Sequence, residues 1–154
     1  MMQVSEVKQL NDRELAAWRG FLRLHAALVR ELDRELEESH GLPLTHYEVL
    51  IHLYLAPDNR LRMSDLAASV LLSQSGVTRL VDRLERAGHV VRHQCADDRR
   101  VLYAQLTDRG RARLMEARPT HLAGVRARFL AHFDDTELDE LAAAWERVQP
   151  GITE

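Results

Sequence analysis

The sequence predicts a mainly α-helical domain that carries one small β-hairpin. Three observations predict it. Apolar residues recur at helical spacing along most of the 154 residues. In Val101–Leu106, Leu102, Ala104 and Leu106 alternate with Val101, Tyr103 and Gln105, the period of a strand buried on one face. A charged turn, Asp97-Asp98-Arg99-Arg100, joins that strand to a preceding one over His89–Ala96.

Length fits a single domain over 1–154, with enough chain for a real core. No secretory leader stands out and no apolar run approaches membrane-spanning length, so a cytoplasmic protein is expected, with no membrane partner. One cysteine excludes an intramolecular disulfide framework. Net charge is −3, but its distribution is uneven. Residues 60–118 carry twelve arginines against seven acids, and both flanks are acidic. A basic segment between acidic ones is the footprint expected of a nucleic-acid contact.

Residues 1–10 carry no strong pattern. Asn11 and Glu14 form a capping-box pattern that opens a long helix over 11–39. Leu15, Trp18, Leu22, His25, Val29, Leu32 and Leu36 repeat at alternating spacings of three and four, a heptad-like seam. Phe21, Leu24 and Leu28 widen it. A helix of about 28 residues runs roughly 40 Å, longer than a compact domain of this size requires. The seam therefore predicts dimerisation. Gly41-Leu42-Pro43 breaks the helix, and Thr45 with Glu48 is read as a second capping box. Tyr47, Leu50, Ile51, Tyr54 and Leu55 carry the next helix toward Pro57. Asp58-Asn59 is a turn, and Arg60–Arg62 is expected as a short strand pairing with the hairpin.

Ser64, with Asp65 in the first turn, is read as the cap of a short helix whose apolar face is Leu66, Ala67, Val70 and Leu71. A second helix follows Ser73, with Val77, Leu80, Val81 and Leu84 inward and Gly88 as its left-handed stop. Its other face presents Gln74, Ser75, Thr78, Arg79, Asp82 and Arg83, short or forked groups suited to base edges. A helix-turn-helix followed by a hairpin with arginines at its tip is a winged helix, spanning 45–106. Thr107-Asp108 starts another helix, with Leu114, Met115, Ala117, Leu122, Val125, Phe129 and Phe133 as apolar positions. Pro119 inside it predicts a kink or break. Asp134 and Glu137 cap a last helix with Leu138, Leu141, Ala142, Trp145 and Val148 on one face. The helices of 107–149, like the first, carry more apolar surface than a monomer needs.

The segment Ser75–Gly88, SGVTRLVDRLERAG, is followed by DDRR and then by LTDRG at Leu106–Gly110. This combination resembles the multiple antibiotic resistance regulator (MarR) family, and the likeness in motif order and flanking helices covers nearly the whole chain. The resemblance implies a homodimeric winged-helix transcription factor, more often a repressor than an activator. It implies double-stranded DNA as partner, a pseudo-palindromic operator, and release by a small aromatic or phenolic molecule. Ser64, Ser73, Gln74, Ser75, Thr78, Arg79, Arg83, Arg99 and Arg100 form the expected DNA-binding set. The family's wing arginine enters the minor groove; Arg99 matches it in the DDRR turn, with Asp97 expected to hold it. Family ligands lie between the first helix and the winged-helix lobe, where Trp18 and His25 are the candidates.

Two features compete with this reading. His89, His93 and Cys95 lie close on one strand, but no further zinc-ligand spacing accompanies them, so no metal is expected. Cys95 lies near two arginines, yet oxidant-sensing relatives use a cysteine near the start of the first helix, and none stands there. No nucleophile elbow, phosphate-cradling glycine loop or supported carboxylate pair appears, so no enzyme and no cofactor is expected. The remaining alternative is a winged-helix protein-interaction module without DNA binding. The arginines at 79, 99 and 100 weigh against it.

Overall fold

The computed structural model describes residues 8–70 and 74–153, with Gln74 and Ser75 described by their backbone alone. Ser73 and Leu71, named above, lie outside the described residues. The elements in order are α1 (Asp12–His40), α2 (Leu44–Leu55), β1 (Arg60–Arg62), α3 (Met63–Ser69), α4 (Gln74–Arg86), β2 (Val90–Gln94), β3 (Leu102–Leu106), α5 (Asp108–Arg128) and α6 (Asp135–Val148). Single 3₁₀ turns at Pro57–Asn59 and Leu130–His132 complete the described elements.

The first and last caps form as their residues dictate. Asn11 accepts from the Glu14 amide while Glu14 accepts from the Asn11 amide, and Asp134 and Glu137 do the same for α6. Gly41 and Gly88 both adopt left-handed φ, at 58° and 76°. The middle caps differ from expectation. Helix α2 begins at Leu44 with no side-chain cap from Thr45 or Glu48. A long-range carboxylate takes that place: Asp33 Oδ1 on α1 accepts from the Leu44 amide at 2.8 Å. Helix α3 begins at Met63, one residue before Ser64, whose hydroxyl points to its neighbour Asp65 rather than to a backbone amide. Asp58 and Asn59 both take positive φ, and Asn59 Nδ2 bonds the Tyr54 carbonyl to hold the turn.

The sheet has three antiparallel strands in the order β1-β3-β2. Leu61 pairs with Ala104, and Val90 pairs with Leu106. Ala104 and Leu106 are buried while Leu102 is exposed, so the alternation holds toward the base of the hairpin and fades toward its tip. The Thr107 side chain then makes two bonds. Its hydroxyl donates to the Gly88 carbonyl at 2.7 Å and accepts from the Gly110 amide at 3.0 Å, starting α5 and closing the hairpin's base.

Helix α5 runs through Pro119 without a break. The ring removes one backbone donor, but Leu114, Ala117 and Gly124 on either side are buried, and tertiary packing outweighs the single lost bond. The helix ends at Arg128, so Phe129 and Phe133 lie beyond it, their rings 5.1 Å apart. Gly124 lets α5 approach α1 closely; a Cβ there would lie 2.8 Å from Leu32 Cδ2 and 2.5 Å from Glu35 Oε2. Arg128 Nη2 reaches Glu35 at 2.5 Å and His40 Nε2 meets Thr120 Oγ1 at 2.8 Å across the same contact.

The core belongs almost wholly to the middle of the chain. Leu50, Leu53, Leu66, Val77, Val81, Leu84, Val90 and Ala104 are sealed from solvent, joined by Leu114 and Ala117 of α5. Each large apolar side chain buried in this way contributes roughly 1.5–3 kcal/mol. Helix α1 contributes only Leu36 to the fully buried set, and α6 contributes nothing. Trp18 is 54 % exposed, and Phe21, Leu22, Leu24, Val29, Trp145 and Val148 are exposed with it.

Candidate nucleic-acid interface

Helix α4 is two-faced for a simple reason. Its apolar residues at 77, 80, 81 and 84 fall on one side of a 3.6-residue repeat and are buried. Thr78, Arg79 and Arg83 on the other side are exposed. Ser64 is exposed on α3, and Arg99 and Arg100 are exposed at the wing. A cleft of about 370 Å³ runs between these elements, lined by Arg62, Ser64, Thr78, Arg92 and Arg100 among others. The fold thus brings three of the expected DNA-contacting side chains to one groove. Arg79, Arg83 and Arg99 are exposed but do not line it.

The wing turn is organised differently from the expectation. Asp98, not Asp97, supplies the carboxylate, and Arg100, not Arg99, receives it. The Arg100 amide and Nε both donate to Asp98 Oδ1, at 3.0 and 3.1 Å, and Nη2 donates to Oδ2 at 3.2 Å. A side chain bonding backbone two residues on is the natural geometry of a tight turn, and it selects position 98 over 97. Those bonds hold the Asp98 carboxyl below the usual carboxylate range. Arg99 makes no ion pair among the described residues.

Two arginines here escaped the sequence reading. Arg62 lies on β1 with Nε 3.4 Å from the Tyr103 hydroxyl, and Arg60 beside it stacks over the Tyr103 ring at 5.2 Å. Arg92 lies on β2 between two acids of α4, with Nη2 at 2.6 Å from Asp82 and 2.7 Å from Glu85. Asp82 was expected to face outward with the base-reading set; it turns to Arg92 instead. No local spacing rule reveals this contact, because the strand register sets it.

The two ligand candidates part company. His25 lines an apolar cavity of about 380 Å³ with Phe21, Phe129, Phe133, Leu141 and Trp145. It also lines a second cavity of about 610 Å³ between α1 and the start of α2, with Val29, Asp33, Leu44, Thr45 and Glu48. Burial pushes the Glu48 carboxyl up, and nearby His25 opposes that rise. Trp18 lines neither; its ring leans on Phe21, which in turn leans on Trp145. Among the described residues no cluster of three His, Cys, Asp or Glu side chains could hold a metal ion. The His93 ring stacks on Tyr103 at 5.8 Å, and Cys95 is a half-exposed free thiol. No helix among the described residues is long and apolar enough to cross a membrane.

Comparison with known proteins agrees with this geometry. The family model described as "MarR family" matches residues 40–101. The uncharacterized HTH-type transcriptional regulator YkoM of Bacillus subtilis is 32 % identical over 92 % of this chain and 89 % of its own length. The crystal structure of AbsC, a MarR family transcriptional regulator from Streptomyces coelicolor, is 34 % identical. It superposes with a TM-score of 0.86 over 92 % of this chain and 95 % of its own. Sco3205, a MarR family regulator from the same organism solved in complex with DNA, is 31 % identical. Its TM-score is 0.88 over 94 % of this chain and 91 % of its own. A winged helix with an outward basic face, on a chain this similar to such proteins over nearly its whole length, belongs to the MarR family of winged-helix transcriptional regulators.

Proposed function

We propose that the protein is a repressor that binds a pseudo-palindromic operator as a homodimer and is released by a small aromatic ligand. One observation carries the reading: exposed Thr78, Arg79 and Arg83 on α4 and exposed Arg99 and Arg100 on the wing accompany long terminal helices with unpartnered apolar faces. The first set suits a major groove flanked by a minor groove. Ser64 and, by the family resemblance, Ser73, Gln74 and Ser75 complete the proposed DNA-contacting set. The second set suits a partner copy, since contiguous exposed apolar area of this kind marks an interface. Two recognition helices related by a two-fold axis read half-sites about one helical turn apart. The arginine-rich middle segment supplies a favourable field for the phosphate backbone despite the net negative charge.

The ligand reading rests on the two cavities that share His25. The apolar one, rimmed by three phenylalanines and Trp145, suits an aromatic ring. A ligand releases DNA only by binding unequally to the two dimer states. Trp18 lies outside both cavities, and Trp145 is the proposed fluorescence reporter. The experiment is selection of bound sequences from random duplexes, followed by sedimentation of the complex. An enriched inverted repeat bound by two chains is expected; no enriched sequence, or one chain on a lone half-site, overturns the reading.

A further inference from the structure

The geometry points to Arg92 as the positioning residue that fixes the recognition helix against the wing, and not as a phosphate-binding arginine. The inference rests on the DNA-reading role proposed above for α4 and the wing. Arg92 lines the groove together with Thr78 and Arg100, where a cation invites assignment as a phosphate contact. Its surroundings argue otherwise. Strand β2 is an edge strand of the sheet, so one line of its backbone donors lacks a ladder partner. The Arg92 amide is one of these, and Glu85 Oε1 of α4 accepts it at 3.0 Å. The other oxygen, Glu85 Oε2, takes Nε at 3.1 Å and Nη2 at 2.7 Å. Asp82 Oδ1, one turn earlier on α4, lies 2.6 Å from the same Nη2.

Two consequences follow. First, the cluster of Asp82, Glu85 and Arg92 carries one net negative charge, so a phosphate approaching Arg92 meets two carboxylates already bound to it. The shared bonds hold the Glu85 carboxyl below its usual range and raise the guanidinium above its own. Second, charge-assisted bonds at two successive positions on one face of α4 resist rotation of the helix about its axis. A rotation of about 10° moves a side-chain end, some 6 Å from the axis, through about 1 Å. That exceeds the roughly 0.5 Å spread of hydrogen-bond lengths, so a base-edge contact would be lost. Arg79 precedes Asp82 by one turn, so its reach depends on this anchor. Arg92 is also paired through the sheet with Ala104 of β3, and the β2–β3 hairpin carries Arg99 and Arg100. Helix and wing are thereby held as one body, with base reading and groove contact at a fixed separation.

The test measures affinity of the full chain for the selected operator and for a scrambled duplex of equal length, across a salt series. The variants are Arg92→Met, Glu85→Gln and the double variant. The expected result is a loss of about tenfold in the operator-to-scrambled ratio for each single variant, the worth of one base contact. The double variant should lose no more than Arg92→Met alone, and the salt slope of Arg92→Met should stay that of the wild type. A slope reduced by about one counterion with an unchanged ratio would make Arg92 a phosphate ligand and overturn the inference. An unchanged ratio in both single variants overturns it too. Should Arg92→Met fail to fold by circular dichroism, Arg92→Lys, which keeps the charge but not the fork, is read by the same criteria. If the wild type itself does not distinguish operator from scrambled DNA, the DNA-reading role fails first, and the inference with it.

Discussion

Replacing Gly110 by alanine separates two forces that act in opposite directions. Gly110 is the third residue of α5, and alanine in a helix is favoured over glycine by roughly 0.8–1.0 kcal/mol. Propensity alone therefore predicts a more stable protein. The tertiary structure predicts the reverse. A Cβ on Gly110 would overlap the His89 carbonyl oxygen and approach both the His89 carbonyl carbon and Leu106 Cδ1 to 2.9 Å. The carbonyl has no room to yield, because it accepts from the Thr107 amide at 3.1 Å while Thr107 Oγ1 holds Gly88 beside it. Relief requires α5 to slide off the base of the wing. Overpacking of this kind costs about 1–3 kcal/mol, and weakening the two Thr107 bonds adds about 1 kcal/mol each. Less the propensity gain, the net loss is about 2–4 kcal/mol. For a chain of this length that lowers the melting temperature by about 5–15 °C. Gly20→Ala is the control: it lies mid-helix in α1 with nothing within 4 Å of a Cβ, and should stabilise by up to about 1 kcal/mol. Urea unfolding at fixed protein concentration reads both. A Gly110→Ala protein as stable as the wild type, with the same denaturant slope, would show that the contact between α5 and His89 does not constrain the fold.

Arg79→Ala should cost about 1–3 kcal/mol on the operator and relax preference at one base pair. Arg99→Ala should weaken operator and scrambled DNA alike and lower the salt slope by about one; the opposite pattern for the pair would reverse their roles. Leu22→Glu places a charge in the exposed seam of α1; sedimentation should give a dimer for the wild type and a monomer for the variant, and a monomeric wild type would overturn the proposed dimer. An aromatic carboxylate that weakens operator binding should quench the fluorescence of Trp145 but not that of Trp18, tested with each tryptophan replaced in turn by phenylalanine. Stability should fall as pH drops below 6.5. Burial holds His46, His52, His89 and His121 below that ordinary value, so the unfolded chain binds more protons in the acid window, and the stability present above pH 6.5 is lost beneath it. Glu48, raised by burial, opposes this at lower pH, because its contribution is present below 4.5 and lost as pH rises. His121→Phe should flatten the decline measured by urea midpoints, since the buried His121 Nδ1 has no hydrogen-bond partner among the described residues and its ring lies 4.3 Å from Tyr47.

The sequence by itself determined what local rules control. The capping boxes at Asn11 and Asp134, the left-handed stop at Gly88, the buried stripe of α4 and the order of helices and strands all follow from neighbours within one or two turns, and all appear in the structure. The family was legible for the same reason, because its motifs are local: Gly88 ends a helix, and Thr107 starts one. Tertiary structure decided everything that depends on groups far apart in the chain. Asp33 rather than Thr45 caps α2, because α1 runs past the Leu44 amide. Packing carried α5 through Pro119 as one helix, where propensity alone predicted a kink or a break. Within the wing, turn geometry chose Asp98 and Arg100 over Asp97 and Arg99. Asp82, which helical periodicity put on the DNA-facing side, is drawn to Arg92 by a strand that returns beneath it. Trp18 was a pocket candidate through the family resemblance, but the α6 helix brings Trp145 to the apolar cavity instead. Periodicity reports which side of a helix a residue occupies; only the packed chain decides what stands opposite.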